Sequence, residues 1–270
     1  MSIILITTLV ITLIGILVGA GLVYTGKKFH VEVDEKESAV RAALPGNNCG
    51  GCGYAGCDAL AAAIAKGEAP VNSCPVGGAP VTKAIGEIMG TEAEAPEPKV
   101  AFVRCKGTCA VTKNQGNYVG IQDCKTAVLG GIRTADCDYG CLGLGTCVRA
   151  CPEHAIKIID GVAVVSRSKC IGCGVCVKSC PKGIIELVPV KQRVIVQCMN
   201  LDRGPAVRKV CSAGCIGCML CTKQCEFDAV HVNGNLAKID YDKCTQCGKC
   251  AAKCPAKVIT PPAVKRSVSE

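Results

Sequence analysis

Cysteines occur in this chain at spacings that suit iron–sulfur chemistry. Of 270 residues, 25 are cysteine, and two runs share the pattern Cys-x2-Cys-x2-Cys-x3-Cys-Pro. In proteins with paired [4Fe–4S] clusters, three close cysteines of such a run bind one cluster and the fourth binds its neighbour. The runs are Cys170, Cys173, Cys176, Cys180, Pro181 and Cys244, Cys247, Cys250, Cys254, Pro255. We therefore predict several [4Fe–4S] clusters and a role in electron transfer.

Disulfides and zinc are the two alternative uses of so many cysteines. A disulfide framework of a secreted protein has no reason to repeat this spacing. Zinc sites usually combine two CxxC pairs, not three cysteines at x2-x2 followed by x3-Cys-Pro. Both alternatives fit the pattern less well than clusters do.

Composition favours small cluster-bound modules over one large globule. The chain has no Trp, three Phe and five Tyr, so few large side chains are present to build a core. Metal ligation itself contributes folding energy. The formal net charge of +9 counts every thiol as neutral. Because each [4Fe–4S](Cys)4 unit carries about −2, six of them would bring the total to about −3. The basic balance is therefore no argument for nucleic acid.

An uncharged stretch near the N-terminus is long enough to cross a membrane. Ile3 to Val23 would span about 31 Å as a helix. Lys27 and Lys28 follow it and no basic residue precedes it, which predicts an N-terminus outside and cytoplasmic cluster domains. A cleaved signal peptide would have a basic start and a shorter apolar centre. We predict an uncleaved single-pass anchor over residues 1–26 in the cytoplasmic membrane.

A small cluster domain is predicted over residues 27–90. It contains the spacing Cys-x2-Cys-x4-Cys-x16-Cys, with glycines that let the backbone wrap a cluster. The four predicted ligands are Cys49, Cys52, Cys57 and Cys74. Residues 91–99 are acidic and rich in proline, which predicts a semi-extended linker.

The rest of the chain repeats with a period of 74 residues from about residue 116. Each copy contains a cluster loop, a predicted β-hairpin and a second cluster loop. Asp160-Gly161 and Asn233-Gly234 are the turn signals of the two hairpins. We predict an α+β fold with tandem bacterial 2[4Fe–4S] ferredoxin-like units, at residues 100–189 (with an additional cysteine segment) and 190–270.

Ligands can be assigned by letting the fourth cysteine of each run cross to the neighbouring cluster. In the first unit the predicted sets are Cys137, Cys141, Cys147, Cys180 and Cys151, Cys170, Cys173, Cys176. In the second unit they are Cys215, Cys218, Cys221, Cys254 and Cys225, Cys244, Cys247, Cys250. The set containing Cys137 is spaced more widely than usual, and Glu226 replaces the proline expected after Cys225.

Five cysteines are left over by this assignment. Leu144 stands where the second unit has Cys218, so the extra ligand of that unit makes Cys211, the counterpart of Cys137, spare. We hypothesise a sixth cluster drawn from the five; the alternative is that they are buried thiols, which behave as small hydrophobes. The five are Cys105, Cys109, Cys124, Cys198 and Cys211.

The sum of these parts resembles the B subunit of the Rnf (Rsx) complex, over nearly the whole chain. The resemblance rests on the single anchor, on LPGNNCGGCGYAGC from Leu44 to Cys57 and on the multi-cluster tail, which is similar to the form found in anaerobes. It implies a membrane oxidoreductase that couples electron flow between reduced ferredoxin and NAD+ to Na+ or H+ transport. It also implies that this subunit takes electrons from soluble ferredoxin and passes them to subunits that hold flavins and the NAD site.

The remaining motifs agree with an electron-relay role. The sequence lacks a Rossmann fingerprint after a strand and a Walker motif, so we expect no catalytic site beyond electron transfer. One uncharged anchor is not expected to form an ion path. The alternative function is a membrane-tethered polyferredoxin that sends electrons toward ferredoxin or a redox sensor. Basic residues of the tail either steer an acidic ferredoxin or balance cluster charge; they are Lys178, Lys182, Lys191, Arg193, Arg203, Arg208, Lys209 and Lys223.

Overall fold

The computed structural model describes residues 2–28, 34–112 and 118–261. It begins with a long apolar helix, α1 (Ser2–Lys28). Residues Ile4–Thr25 are long and apolar enough to cross a membrane, and their side chains are exposed. The hydroxyls of Thr8, Thr12 and Thr25 donate to carbonyls three or four residues earlier, which suits an apolar surrounding because each donor is satisfied inside the helix.

Three helices form the small module that follows: α2 (Glu35–Ala43), α3 (Cys57–Ala65) and α4 (Gly78–Met89). They pack through Val40, Leu60, Ile64 and Ile85, which are almost completely buried. Lys99, the last residue of the predicted linker, pairs with Pro189 in a strand.

In its described residues, the first ferredoxin-like unit combines two small antiparallel sheets with three short helices. One sheet pairs the first strand with the last, and the other is a hairpin whose turn residues Asp160 and Gly161 both have positive φ (49° and 80°). The elements are β1 (Lys99–Val103), α5 (Cys124–Leu129), α6 (Thr146–Arg149), β2 (Ile156–Ile159), β3 (Val162–Val165), α7 (Val175–Ser179) and β4 (Ile185–Pro189).

The second unit repeats the hairpin. Its elements are α8 (Gly204–Val210), α9 (Leu220–Lys223), β5 (Val230–Asn233), β6 (Leu236–Ile239) and α10 (Lys249–Ala252). The predicted Asn-Gly turn is wrong by one residue. Asn233 pairs with Leu236, so the turn residues are Gly234 and Asn235 (φ 55° and 64°). A turn one residue earlier would reverse which strand side chains face the core.

A short extended segment of the second unit takes the place of β1. In the first unit the Arg104 N–H donates to the Ile184 carbonyl (2.7 Å), and in the second the Gln197 N–H donates to the Val258 carbonyl (2.8 Å). Ile184 and Val258 stand at the same position of the sequence repeat, so these two hydrogen bonds are equivalent. The residues that follow the two donors, Cys105 and Cys198, therefore occupy matching positions.

The units contact one another through side chains and backbone. The Tyr241 hydroxyl of the second unit donates to Glu186 of the first (2.6 Å), and Glu186 also lies 3.3 Å from Arg104. The Ser212 N–H donates to the Val111 carbonyl (3.0 Å). Side-chain and backbone hydrogen bonds thus join the two units.

Candidate iron–sulfur cluster sites

One cavity of the first unit departs from the predicted ligand grouping. This cavity, site 1A, is lined by Cys124, Cys141, Cys147 and Cys180, whereas Cys137 lines a different cavity. The physical reason is Leu144, which occupies the position of Cys218 and leaves the site one thiol short. Cys124 faces the site in its place.

Cys124 is positioned by the start of helix α5. Asp123 accepts hydrogen bonds from the Thr126 N–H (2.9 Å) and from the Thr146 hydroxyl (2.8 Å). The Thr146 oxygen in turn accepts from the Cys124 N–H (2.7 Å). These bonds to the ionised carboxylate lower the pKa of Asp123 to about 2. The cap therefore joins α5 to α6, the helix that carries Cys147.

The other site of the first unit brings together the four cysteines that the sequence grouped. Site 1B is the cavity that they line, and two backbone amides point at its sulfurs. The Ala155 N–H lies 3.3 Å from Cys151 Sγ, and the Ala101 N–H lies 3.4 Å from Cys170 Sγ. Its lining cysteines are Cys151, Cys170, Cys173 and Cys176.

Both predicted groups of the second unit also come together. Site 2A is a cavity lined by Cys215, Cys218, Cys221 and Cys254. In site 2B, burial above all raises the pKa of Cys250 to about 11, with further contributions from its neighbours Cys244, Cys247 and Cys225. The Ala229 N–H donates to Cys225 Sγ (3.3 Å), matching Ala155 in the first unit. At the position of the missing proline, Glu226 pairs with Lys249 of α10.

The small module holds the fifth predicted group, site N, whose predicted ligands are Cys49, Cys52, Cys57 and Cys74. Burial raises the pKa of Cys74, and the nearby Cys52 and Cys57 raise it further. The Cys57 N–H at the start of α3 donates to the Asn48 side chain (2.8 Å).

Site N lies against site 1B. Cys49 is close enough to Cys173 to raise its pKa, although burial of Cys173 is the larger cause. A Cβ added at Gly51 would come within 2.4 Å of the Cys173 carbonyl oxygen, so only glycine fits there. Asn47 donates to Glu153 (3.1 Å), and Lys178 donates to the Gly50 carbonyl (3.4 Å).

The five unassigned cysteines lie in three places. Cys124 belongs to site 1A. Cys109 is exposed beside the tip of the β2–β3 hairpin, where its N–H donates to the Asp160 carbonyl (2.9 Å). Cys105, Cys198 and Cys211 line a cavity between the two units, together with Cys137.

Burial makes these thiols poor acids on their own. It raises the pKa of Cys141 to about 12, of Cys147 to about 11 and of Cys176 to about 12. A thiol must lose its proton to bind iron, and the positive charge of the metal offsets the cost of burying the thiolate. These sites therefore suit a resident metal group better than they suit free thiolates.

A single metal ion and a four-iron core make different demands on their ligands. Zinc needs four ligands at about 2.1–2.3 Å from a single centre. A four-iron core binds each cysteine through a different iron, so its ligands stand farther apart. Within the described ranges, no group of three or more His, Cys, Asp or Glu side chains is arranged to hold one metal ion.

Three family models match four of these regions. A model described as "Putative Fe-S cluster" matches residues 44–76, and a "4Fe-4S binding domain" matches residues 163–186 and 237–260. A second model with the description "4Fe-4S binding domain" matches residues 212–228. The predicted fold class is confirmed, and the chain is an iron–sulfur protein of the [4Fe–4S] electron-transfer class.

Curated relatives identify the family within that class. The B subunit of the Acetobacterium woodii "Na(+)-translocating ferredoxin:NAD(+) oxidoreductase complex" is 48% identical, over 91% of this chain and 74% of the relative. The B subunit of the Methanosarcina acetivorans "Ion-translocating oxidoreductase complex" is 44% identical, over 91% and 94%. The B subunit of the Clostridium ljungdahlii "Proton-translocating ferredoxin:NAD(+) oxidoreductase complex" is also 44% identical, over 96% and 93%.

The chain belongs to this family, the B subunits of Rnf-type ion-translocating oxidoreductase complexes, which confirms the resemblance. It is thus an iron–sulfur electron-transfer subunit of a membrane-associated oxidoreductase complex. The part of the chain that the structure describes has one candidate membrane-spanning helix.

Proposed function

We propose that this subunit accepts electrons from reduced ferredoxin and relays them through [4Fe–4S] clusters toward flavin- and NAD-binding subunits. The complex would couple that flow to Na+ or H+ transport. The anchor would hold the cluster domains at the cytoplasmic face, with the N-terminus outside. The cysteines would bind the clusters, and the backbone amides directed at their sulfurs would tune the potentials.

The observation that carries this proposal is the exposure of the second unit. Cys218 of site 2A and Cys247 of site 2B are exposed, whereas the cysteines of sites N, 1A and 1B are buried or half-buried. Electrons from a soluble donor enter most easily where a cluster lies nearest the surface. We therefore assign the ferredoxin-facing end to the second unit.

The surface around these two thiols supports that assignment. Met219, Leu220 and Phe227 are exposed to 53%, 43% and 46%. Lys223 and Lys253 are exposed on the same unit. Apolar contacts with basic residues beside them suit brief docking of an acidic protein, because charge complementarity speeds encounter.

Several basic residues of the predicted steering set have partners elsewhere. Lys191 pairs with Glu97 (2.6 Å), Lys182 donates to the Asp138 carbonyl (2.8 Å) and Lys178 contacts the small module. Lys223 of α9, by contrast, is exposed two residues after Cys221 and is the member of that set best placed for an incoming ferredoxin.

Charge reversal tests this entry surface. In the assembled complex, Lys223→Glu with Lys253→Glu should lower the second-order rate of reduction by ferredoxin and weaken its salt dependence. The matched control is Lys36→Glu with Lys66→Glu in the small module, which changes the net charge equally. An equal loss of rate in both double variants would refute docking at the second unit. A wild-type rate that does not fall at high salt would refute charge steering altogether.

Membrane orientation is tested separately. In sealed inside-out vesicles, an impermeant thiol reagent should label Cys109, and in right-side-out vesicles it should not. Labelling only in right-side-out vesicles would reverse the proposed topology.

A further inference from the structure

The cavity between the two ferredoxin-like units is lined by cysteines from both units. Cys105 and Cys137 come from the first unit, and Cys198 and Cys211 come from the second. We propose that these four thiolates bind a sixth [4Fe–4S] cluster at this position, the interface site. This cluster would let electrons pass between the two units. The proposal rests on the proposed presence of clusters in this chain and is independent of the direction of electron flow.

The first argument is the matching position of Cys105 and Cys198. Each follows the equivalent extended segment of its unit, as described above. Cys105 Sγ accepts a hydrogen bond from the Cys141 N–H (3.5 Å), and Cys198 Sγ accepts one from the Cys215 N–H (3.4 Å). Cys141 and Cys215 are counterparts in the sequence repeat, so the two sulfurs have the same environment in both units.

The second argument is the matching position of Cys137 and Cys211, which are also counterparts in the repeat. The Cys137 carbonyl accepts from the Gly140 N–H (3.2 Å), and the Cys211 carbonyl accepts from the Gly214 N–H (3.4 Å). Neither cysteine is needed inside its own unit, because Cys124 serves site 1A and Cys218 serves site 2A. Two equivalent pairs therefore face one shared cavity.

The third argument is the polar lining of this cavity. Asn200 is 2% exposed, and its side-chain amide donates to Cys137 Sγ (3.5 Å). Its backbone N–H donates to Cys198 Sγ (3.5 Å). One buried residue thus directs N–H groups at a sulfur from each unit. Thiols that merely filled space would not need these donors, whereas thiolates bound to iron are stabilised by them.

Gly107 marks how closely the two units approach around the cavity. A Cβ added there would lie 3.5 Å from Cys105 Sγ and 3.8 Å from Cys211 Sγ, and would clash with Thr112 at 2.8 Å. Sulfurs of both units therefore flank a single backbone position. A larger residue at position 107 would separate the two halves of the ligand set.

The interface site adjoins one site in each unit. Cys141 lines both this cavity and site 1A. Cys215 lines site 2A and hydrogen-bonds Cys198 through its backbone. Site N adjoins site 1B, so the proposed order along the chain of clusters is N, 1B, 1A, interface, 2A and 2B. Without the interface site, the two units would hold separate cluster pairs.

Paired substitutions test the ligand set through the iron count of the full-length protein, purified anaerobically. The wild type should bind about 24 iron atoms, four for each of six clusters. Cys137→Ala/Cys211→Ala removes two ligands of one cluster and should leave about 20. Cys137→Ala/Cys147→Ala removes ligands from two different clusters and should leave about 16 iron atoms. If Cys137 and Cys147 bound the same cluster, about 20 iron atoms would remain. Cys109→Ala is the matched control and should keep the wild-type count.

Different outcomes separate this proposal from the proposed function. A wild-type count of about 20, or full iron in Cys137→Ala/Cys211→Ala, overturns the interface site alone. A protein without iron overturns the electron-relay function as well. If substituting a pair of cysteines prevents folding, Asn200→Ala tests the interface site instead. It should keep all iron and shift one midpoint potential to more negative values in an EPR-monitored redox titration, since a donor to sulfur is lost. Unchanged potentials would overturn the proposal.

Discussion

The docking of the small module on the first unit should depend on the absence of a side chain at Gly51. A Cβ there would lie 2.4 Å from the Cys173 carbonyl oxygen and 3.2 Å from its Cα. Favourable contacts between heavy atoms begin near 3.5 Å, so the surfaces must separate by about 1 Å. Both partners are backbone atoms of cluster loops and cannot rotate away. The φ of Gly51 lies outside the left-handed region, so Gly51→Ala tests the contact and not backbone strain.

The size of the effect follows from overpacking, which typically costs about 1–3 kcal/mol. Because 1.4 kcal/mol corresponds to a factor of ten, the undocked population should rise about 5- to 140-fold. Two exposed hydrogen bonds, from Asn47 to Glu153 and from Lys178 to Gly50, also hold the module. Each contributes about 0.5–1.5 kcal/mol, so the added methyl group is comparable to both together.

Hydrogen exchange measures this population directly. When opening is fast and reversible, amide exchange in the contact loops 49–56 and 171–178 is proportional to the open fraction. Under anaerobic conditions Gly51→Ala should accelerate exchange there and weaken the magnetic coupling between reduced clusters, with iron content unchanged. Ala55→Ser, at an exposed position of the same loop, is the control. Exchange within twofold of wild type in both loops would refute the docking role of Gly51.

Three further perturbations have defined outcomes. Tyr241→Phe removes a hydrogen bond to the Glu186 carboxylate, worth about 1.5–3 kcal/mol. The substitution should shorten the half-life of the cluster absorbance on heating. An unchanged half-life would contradict the role of Tyr241 in bridging the two units. Met219→Gly relieves a left-handed backbone (φ 57°) at the position where the first unit has Gly145 (φ 76°). Iron bound to this variant should resist a chelator at least as long as in wild type, and faster loss would show that the side chain matters more than the strain. Deleting Ser2–Lys28 should release an iron-replete protein into the soluble fraction, because the side chains of Ile4–Thr25 are exposed. Sedimentation with membranes would point to a second anchor.

The sequence predicted those parts of the sites that depend on local spacing. Spacing predicts that Cys151 and Cys180 cross between the two clusters of the first unit, because a short turn and a hairpin separate the two runs. In the structure, Cys180 lines site 1A and Cys151 lines site 1B. The pairing of β1 with β4 was missed, since the two strands lie at opposite ends of the first unit and only tertiary packing selects them.

The grouping around Cys137 differs from the cavity lining for an identifiable reason. Superposing the repeats puts Cys141 and Cys147 at standard ligand positions and leaves Leu144 at the third, so one ligand had to come from elsewhere. Cys137 is near these positions in the sequence, but the cavity is lined by Cys124 instead. The Cys124 N–H donates to the Thr146 hydroxyl, which donates to the Asp123 carboxylate, and no spacing rule contains these bonds. Leu144 is the feature of the sequence that indicates a more distant cysteine.

A shared cluster would also explain how two repeated units become one body. A tandem of two-cluster units has no inherent reason to dock in one arrangement, and each interface hydrogen bond, such as that of Tyr241, contributes only about 0.5–3 kcal/mol. A metal site formed by ligands from both units makes its binding energy part of the docking energy, since neither unit alone supplies four thiolates. Loss of iron from the interface site should therefore loosen the two units against each other while each unit keeps its own clusters. The four cysteines of the interface site would then determine both the electron path between the units and the arrangement of the units that this path requires. They are Cys105, Cys137, Cys198 and Cys211.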